Sequence, residues 1–196
     1  MTILVSALVG LMGQSQMAAQ IGGFIPVLAP FQAVAWAGPA IPQWLTPLTA
    51  TLLHGGVFHL LFNMVMLVYC GREAERALGS GAIGILYFLG AYAAAAGQWA
   101  QDPHSMMPMI GASGAISAVV AAYALLYGRN RARKVGPLSA GLLHALWLGA
   151  AWTIINLLVG YATLTDQPVA IGAHIGGFLA GLVLTRPLLL WRYRDA

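Results

Sequence analysis

Charged side chains are scarce in this sequence. Of its 196 residues, 7% are Asp, Glu, Lys or Arg, whereas 60% are hydrophobic. Soluble domains carry roughly 25% charged residues, so the chain lacks the polar surface that a fold in water needs. This excludes an ordinary soluble protein, a nucleic-acid-binding protein and a disordered chain. The composition predicts an integral membrane protein, and at about 20 residues per span it has room for about six spanning helices.

Cysteine is almost absent as well. Cys70 is the only one, which excludes an intramolecular disulfide. The apolar stretches do not alternate as the strands of a membrane barrel do, and an open sheet edge cannot lie in lipid. The predicted fold class is therefore an all-α integral membrane protein.

The few charges are clustered, and the clusters indicate the topology. Basic residues group at 72–76, 129–134 and 186–194, and they are separated by charge-free stretches at 77–101, 103–128, 135–165 and 167–185. Because each stretch is about one span long, the chain crosses twice between clusters and every Lys and Arg falls on one side. The positive-inside rule makes that side cytoplasmic, which leaves Asp102 and Asp166 on the outer side.

Residues 1–71 carry no charged side chain and are long enough for two spans. Five prolines between 24 and 47 exclude a straight helix there, so we expect a membrane-embedded loop in the outer interface over 24–50. The prediction is a single six-helix membrane domain over 1–196, with both termini cytoplasmic. Its predicted spans are 2–23, 51–71, 81–100, 113–128, 140–162 and 171–190.

The predicted spans contain no carboxylate and no lysine. This excludes a pair of facing intramembrane aspartates and a serine–lysine dyad, and it argues against proton- or ion-coupled transport. His54 and His59 are five residues apart without an adjacent glutamate, which does not fit the H-E-x-x-H zinc motif. We therefore expect no metal.

One pair of polar residues remains that fits a known chemistry, Ser113 and His174. A serine hydroxyl becomes a nucleophile when a base takes its proton, and neutral imidazole does this near pH 7. Both residues stand at the outer ends of their predicted spans, at matching depth. The small residues Gly114, Gly177 and Gly181 predict close packing of the two helices.

The second span supplies hydrogen-bond donors. His59 and Asn63 are four residues apart and share a helix face. Acyl transfer needs N–H groups aimed at the developing oxyanion, and these two side chains, together with the backbone N–H of Ser113, fit that role. His54 is a possible accessory group from the side. Interhelical hydrogen bonding is the alternative role for His59 and Asn63.

Four segments resemble the rhomboid family of intramembrane serine proteases, in the family's order and on the same spans. They are HGGVFHLLFN at 54–63, GREAERALG at 71–79, GASGAISA at 111–118 and AHIGG at 173–177. The resemblance implies Ser113 as nucleophile, His174 as general base, and Glu75 as a structural residue of the loop after the second span. It also implies single-span membrane proteins as substrates, cleaved near the outer end of the span with water and no cofactor.

The sequence departs from the family pattern at two positions. Family members often have a Trp-Arg pair in the first loop, whereas Trp44 is followed here by Leu45. Many also carry an aromatic residue four positions after the nucleophile, beneath the histidine ring, and this position is Ser117. The anchoring of the first loop and the support of His174 are therefore expected to differ.

Two alternatives stay open at this point. A catalytically silent relative would bind transmembrane segments without cleaving them, and an unrelated small channel would use Ser113 only for helix packing. The expected partners are the lipid bilayer and single-span membrane proteins, with no nucleic acid. The expected location is a bacterial plasma membrane, with the active site opening to the outer side.

Overall fold

The computed structural model describes residues 1–29, 41–128, 136–137, 140–162 and 169–194. Within these residues the regular secondary structure is helical, apart from one isolated antiparallel bridge between Phe24 and Met109. The all-α fold class is thereby confirmed. The helices are α1 (Thr2–Leu11), α2 (Ser15–Gly22), α3 (Thr46–Thr49), α4 (Val57–Leu78), α5 (Ser80–Gln101), α6 (Ser113–Tyr127), α7 (Ala140–Ala162) and α8 (Ile171–Arg192).

Some of the predicted features lie outside the described residues. They are the centre of the first loop at 30–40, the basic cluster at 129–134 and Asp166. The predictions for the loop and for the topology therefore stay predictions at these positions.

The first predicted helix, 2–23, is interrupted in the structure. Helix α1 ends at Leu11 and α2 begins at Ser15. Gly13 between them has a φ of 65°, the left-handed conformation that glycine adopts at helix ends without steric cost. The N–H groups of Gly13 and Gln14 close the end of α1 by bonding to Gly10 and Val9 carbonyls. The prediction of one continuous helix was wrong for this reason.

The second predicted helix, 51–71, is shifted along the chain. Helix α4 starts at Val57 and continues to Leu78, and it meets the short helical stretch Gln43–Leu52 at an angle of 93°. Residues 53–56 separate the two and include Gly55 and Gly56, and adjacent glycines do not favour helix. As a consequence Glu75, expected in a loop, lies exposed in the last turns of α4.

By length and apolar composition, α5 and α8 are each able to cross a membrane, and α4 joined to Gln43–Leu52 across its bend gives a third candidate among the described residues. Helix α4 carries an apolar stripe in which Val57, Leu61, Val65 and Val68 are each more than half exposed. A continuous exposed apolar stripe of this kind fits a lipid environment. Helix α6 is apolar but has 15 residues, about 22 Å at 1.5 Å per residue.

Helix α8 packs between α5 and α6 so closely that the helix backbones are in contact. A Cβ atom on Gly177 would overlap the carbonyl oxygen of Gly114, and one on Gly181 would overlap that of Ala118. On the opposite side, a Cβ atom on Gly176 would overlap the Ala93 carbonyl oxygen of α5. Because no side chain separates these backbones, the first turn of α8 is held beside the first turn of α6.

Candidate active site

Ser113 and His174 are in hydrogen-bond contact. Ser113 is the first residue of α6 and His174 lies in the first turn of α8. The distance between Ser113 Oγ and His174 Nε2 is 2.8 Å. The imidazole is buried, with 4% of its surface exposed. The geometry is that of a hydroxyl whose proton has an adjacent acceptor.

Gln101 holds the beginning of the histidine helix. It is the last residue of α5, and its Oε1 accepts the N–H of Gly172 at 2.5 Å. The first N–H groups of a helix have no partner within the helix, so this bond satisfies one of them two residues before His174. Sequence reasoning missed Gln101, since a single glutamine at a helix end forms no recognisable pattern.

The second nitrogen of His174 has no hydrogen-bond partner within the described part of the chain. This atom, Nδ1, is buried. The orientation of the imidazole ring therefore depends on the packing around it and on the hydrogen bond to Ser113. The described residues also contain no group of three or more His, Cys, Asp or Glu side chains that could hold a metal ion.

His59 and Asn63 lie on α4, and both make defined contacts. Asn63 is 2% exposed, and its Nδ2 donates to the His59 carbonyl at 2.8 Å. An amide nitrogen has two N–H groups, and the described part of the chain shows an acceptor for one of them. His59 Nδ1 accepts the Gly55 N–H at 3.4 Å, which assigns the ring hydrogen of neutral His59 to Nε2.

Gly111 brings His59 and Ser113 to the same small space. Its φ of 113° is a conformation that favours glycine. A Cβ atom built on Gly111 would lie 2.8 Å from His59 Nε2 and 3.8 Å from Ser113 Oγ. The missing side chain therefore lets the His59 ring, with its N–H donor, pack closely against the Gly111 backbone near the serine hydroxyl. Sequence analysis named Gly111 only as part of the serine motif.

His54 contacts the residue that precedes the serine. The Ser6 hydroxyl donates to the Leu52 carbonyl at 2.7 Å, so it accepts from His54 Nδ1 at 2.9 Å. His54 Nε2 then accepts the N–H of Ala112 at 3.4 Å. His54 is thus engaged with the backbone of the serine loop, and its ring meets that of His59 edge-on at 5.0 Å.

The segment before Ser113 is held by the described parts of the first loop. Phe24 and Met109 exchange two backbone hydrogen bonds, of 3.0 and 2.8 Å, and the Gly111 N–H donates to the Ala50 carbonyl at 2.9 Å. A cleft beside Ser113 is lined by apolar residues of these segments and of α8, among them Pro47, Met109, Ile110, Ala170 and Ala173.

Trp44 and Ser117, the two positions of the departures from the family pattern, each make a hydrogen bond to an aromatic side chain of another helix. The carbonyl of Trp44, where the paired arginine is missing, accepts the Tyr92 hydroxyl of α5 at 2.9 Å. Ser117 is fully buried, and its hydroxyl accepts the indole N–H of Trp152 from α7 at 2.7 Å. An aromatic side chain therefore reaches this level of the site from a different helix.

Comparison with known proteins finds a matching family model and curated relatives. The model of the Rhomboid domain matches residues 42–191. Rhomboid protease GluP of Bacillus subtilis is 33% identical over 146 residues, which is 74% of this chain and 27% of that protein. RHOMBOID-like protein 5 of Arabidopsis thaliana is 31% identical over 138 residues, 70% of this chain and 42% of that protein.

A further relative is rhomboid protease GlpG of Serratia proteamaculans, 28% identical over 132 residues, 67% of this chain and 44% of that protein. The chain thus spans between about a quarter and a half of the length of these relatives. The family match includes α4 to α8 and the residues around Ser113 and His174, whereas α1 and α2 precede it.

Proposed function

The chain belongs to the rhomboid family, and we propose from this premise that it is an intramembrane serine endopeptidase. It is an integral membrane protein, as its family and its apolar helices require. The proposed substrates are single-span membrane proteins, cleaved within the transmembrane segment near its outer end. The observation that carries the proposal is the 2.8 Å contact between Ser113 Oγ and His174 Nε2.

In the proposed acylation step, His174 Nε2 takes the proton of Ser113 as Oγ attacks the scissile carbonyl carbon. The carbonyl oxygen becomes an oxyanion, and the protonated imidazole then gives its proton to the leaving amine. An acyl-enzyme on Ser113 remains. The step starts from a neutral imidazole, which is able to accept this proton near pH 7.

The oxyanion is proposed to be held by three donors. They are the Nε2–H of His59, the free N–H of Asn63 and the backbone N–H of Ser113. The close packing of the His59 ring against Gly111, near the Ser113 hydroxyl, supports this assignment. As the first residue of α6, Ser113 also has a backbone N–H without an intrahelical acceptor. Fixed donors of this kind lower the barrier more than mobile water does.

The deacylation step repeats the proton transfers with water. His174 takes a proton from a water molecule, whose oxygen attacks the acyl carbon. The tetrahedral intermediate then collapses, and His174 returns the proton to Ser113 Oγ. The proposed site therefore opens to the outer aqueous side, where both Ser113 and His174 begin their helices.

The proposed topology has five spans, α4 to α8, and places the end of α8 on the cytoplasmic side. The clusters of basic residues support this orientation through the positive-inside rule. The α1–α2 pair does not fit the span predicted over 2–23. Ser6 bonds to Leu52 and His54, and the Gly22 carbonyl accepts the Thr49 hydroxyl, so both ends of the pair contact segments on the proposed outer side. Residues 24–50 are proposed to form a loop in the outer interface. The membrane is proposed to be a bacterial plasma membrane, which agrees with the bacterial source of two of the three relatives above.

The test is covalent labelling by a fluorophosphonate probe in detergent. The unmodified chain is compared with Ser113→Ala and His174→Ala, and the matched controls are Ser105→Ala and His104→Ala in the loop before α6. We expect the unmodified chain and both controls to be labelled, and the two site variants to remain unlabelled. A reporter with one transmembrane helix, reconstituted with the enzyme in liposomes, is then cleaved only by the chains that label.

Two results would contradict the proposal. Labelling of Ser113→Ala at the rate of the unmodified chain would mean that another serine reacts. A folded chain that binds the reporter but neither labels nor cleaves it would be the catalytically silent relative.

A further inference from the structure

The hydroxyl of Ser117 makes two hydrogen bonds that lead in opposite directions. It donates to the carbonyl of Ser113 at 2.7 Å, and it accepts the indole N–H of Trp152 at 2.7 Å. The Ser117 hydroxyl hydrogen thus points to the Ser113 carbonyl, and the Ser117 oxygen accepts the indole N–H of Trp152 from α7. Both bonds fix the orientation of this hydroxyl.

The Ser117 hydroxyl and its two hydrogen bonds lie one helical turn beneath the Ser113–His174 pair. Ser117 follows Ser113 by four residues on α6, and Gly177 follows His174 by three residues on α8. A Cβ atom on Gly177 would stand 3.3 Å from the Ser117 Cβ, so the two helices meet at this level. Ser117 is therefore packed between the backbone of α8 and the indole of α7.

Trp152 connects this level to the helix that carries the proposed oxyanion donors. Its indole is 4% exposed, and the ring stacks on Phe62 of α4 with a centroid distance of 6.4 Å and an interplanar angle of 18°. Phe62 directly precedes Asn63. The indole thus contacts α4 through its ring face and α6 through its N–H.

We infer that Trp152 and Ser117 are positioning residues for the Ser113 nucleophile, an inference that rests on the proposed function of Ser113. The N–H of Trp152 polarises the Ser117 hydroxyl, which strengthens the bond that this hydroxyl donates to the Ser113 carbonyl. That bond fixes the first turn of α6 and, with it, the position of Ser113 Oγ against His174.

The second hydrogen bond distinguishes Ser117 from an ordinary buried hydroxyl. Thr185 on α8 is buried as well, and its hydroxyl also donates to the carbonyl four residues earlier, Gly181, at 2.5 Å. Serine and threonine commonly make this bond inside helices. The acceptance of a donor from a neighbouring helix sets Ser117 apart, and Thr185 is therefore the matched control.

The experiment measures fluorophosphonate labelling of the full chain over a range of probe concentrations, which separates kinact from KI. The variants are Trp152→Phe, Ser117→Ala, their combination, and Thr185→Val. We expect each single site variant to lower kinact about tenfold at unchanged KI, because catalysis is sensitive to displacements well below 1 Å. Because both residues act through one hydrogen bond, Trp152→Phe is expected to change kinact little in the Ser117→Ala background.

Several outcomes would overturn the inference. One is an unchanged kinact in Ser117→Ala. This is the smallest of the substitutions, and its result can be interpreted even if Trp152→Phe unfolds. Another is a decrease for Trp152→Phe that is equally large in both backgrounds, which would make the indole a packing residue only. A decrease of the same size in Thr185→Val would also overturn it. If the unmodified chain does not label, the proposed function itself fails. If every variant labels normally, the proposed function stands and only the positioning role of Trp152 and Ser117 fails.

Discussion

His54 and Ser6 join the first helix to the loop that carries the nucleophile. The Ser6 hydroxyl accepts the Nδ1–H of His54 at 2.9 Å, and the opposite nitrogen of the same ring accepts the N–H of Ala112 at 3.4 Å. A side chain of α1, outside the matched family region, thus orients a histidine that contacts the residue next to Ser113. His54 therefore supports the loop that precedes Ser113.

Ser6→Ala is expected to weaken the site through His54. The substitution leaves the buried Nδ1–H of His54 without its acceptor, which costs about 1–3 kcal/mol. We expect a lower thermal midpoint and several-fold slower fluorophosphonate labelling. Ser6→Thr keeps the hydroxyl and should label at close to the normal rate, as should Ser15→Ala at the exposed start of α2. Equal labelling and stability of Ser6→Ala and the unmodified chain would show that the contact has no effect.

Gly111→Ala is expected to slow labelling strongly. A Cβ atom at this position would lie 2.7 Å from the nearest ring carbon of His59, and the φ of 113° disfavours any side chain. A displacement of His59 or of Ser113 by about 1 Å is expected to lower the labelling rate by about a hundredfold. The measurement is the labelling rate of the folded fraction.

The control for this substitution is Gly13→Ala. Gly13 also has a positive φ, of 65°, but no atom lies within 4 Å of the position of its Cβ. Both substitutions therefore strain the backbone, and only one of them fills the site. If both variants label equally fast, the close packing of His59 against Gly111 plays no part in the reaction.

Asn63→Ala distinguishes an oxyanion donor from a structural hydrogen bond. One N–H of Asn63 is used by the His59 carbonyl at 2.8 Å, and the second is proposed to bind the oxyanion. Loss of one such donor is expected to lower kcat by about a hundredfold at nearly constant KM. The rates are measured with the reporter in liposomes. A raised KM with normal kcat would assign Asn63 to substrate binding or helix packing instead.

The sequence identified Ser113, His174, His59 and Asn63 because few polar groups remain in stretches that must lie in lipid. The structure brings Ser113 and His174 to 2.8 Å although they are 61 residues apart. This contact follows from small residues whose spacing is visible in the sequence, such as Gly177 and Gly181. The family resemblance added the roles, and the family itself is confirmed by the match over residues 42–191.

The supporting residues could not be predicted from the sequence. Gln101 and Trp152 reach partners 71 and 35 residues away in the chain, and neither belongs to a local pattern. Hydropathy also did not reveal the break after α1 or the late start of α4, because a single glycine with positive φ, or a pair of glycines, hardly changes the apolar content of a window. Backbone conformation decided these boundaries.

Gly177→Ala is expected to separate α8 from α6 and thereby to inactivate the site. A Cβ atom there would overlap the Gly114 carbonyl oxygen, which belongs to the residue after the nucleophile. Neither backbone can yield without moving its helix, and overpacking of this kind typically costs about 1–3 kcal/mol. Because His174 stands one turn above on the same helix, we expect the labelling rate to fall by about a hundredfold together with the thermal midpoint. Gly84→Ala on α5, where no atom lies within 4 Å of the Cβ position, is the control and should keep both values. If Gly177→Ala labels as fast as this control, α6 and α8 can separate without moving His174 from Ser113, and close backbone packing is not what aligns the dyad.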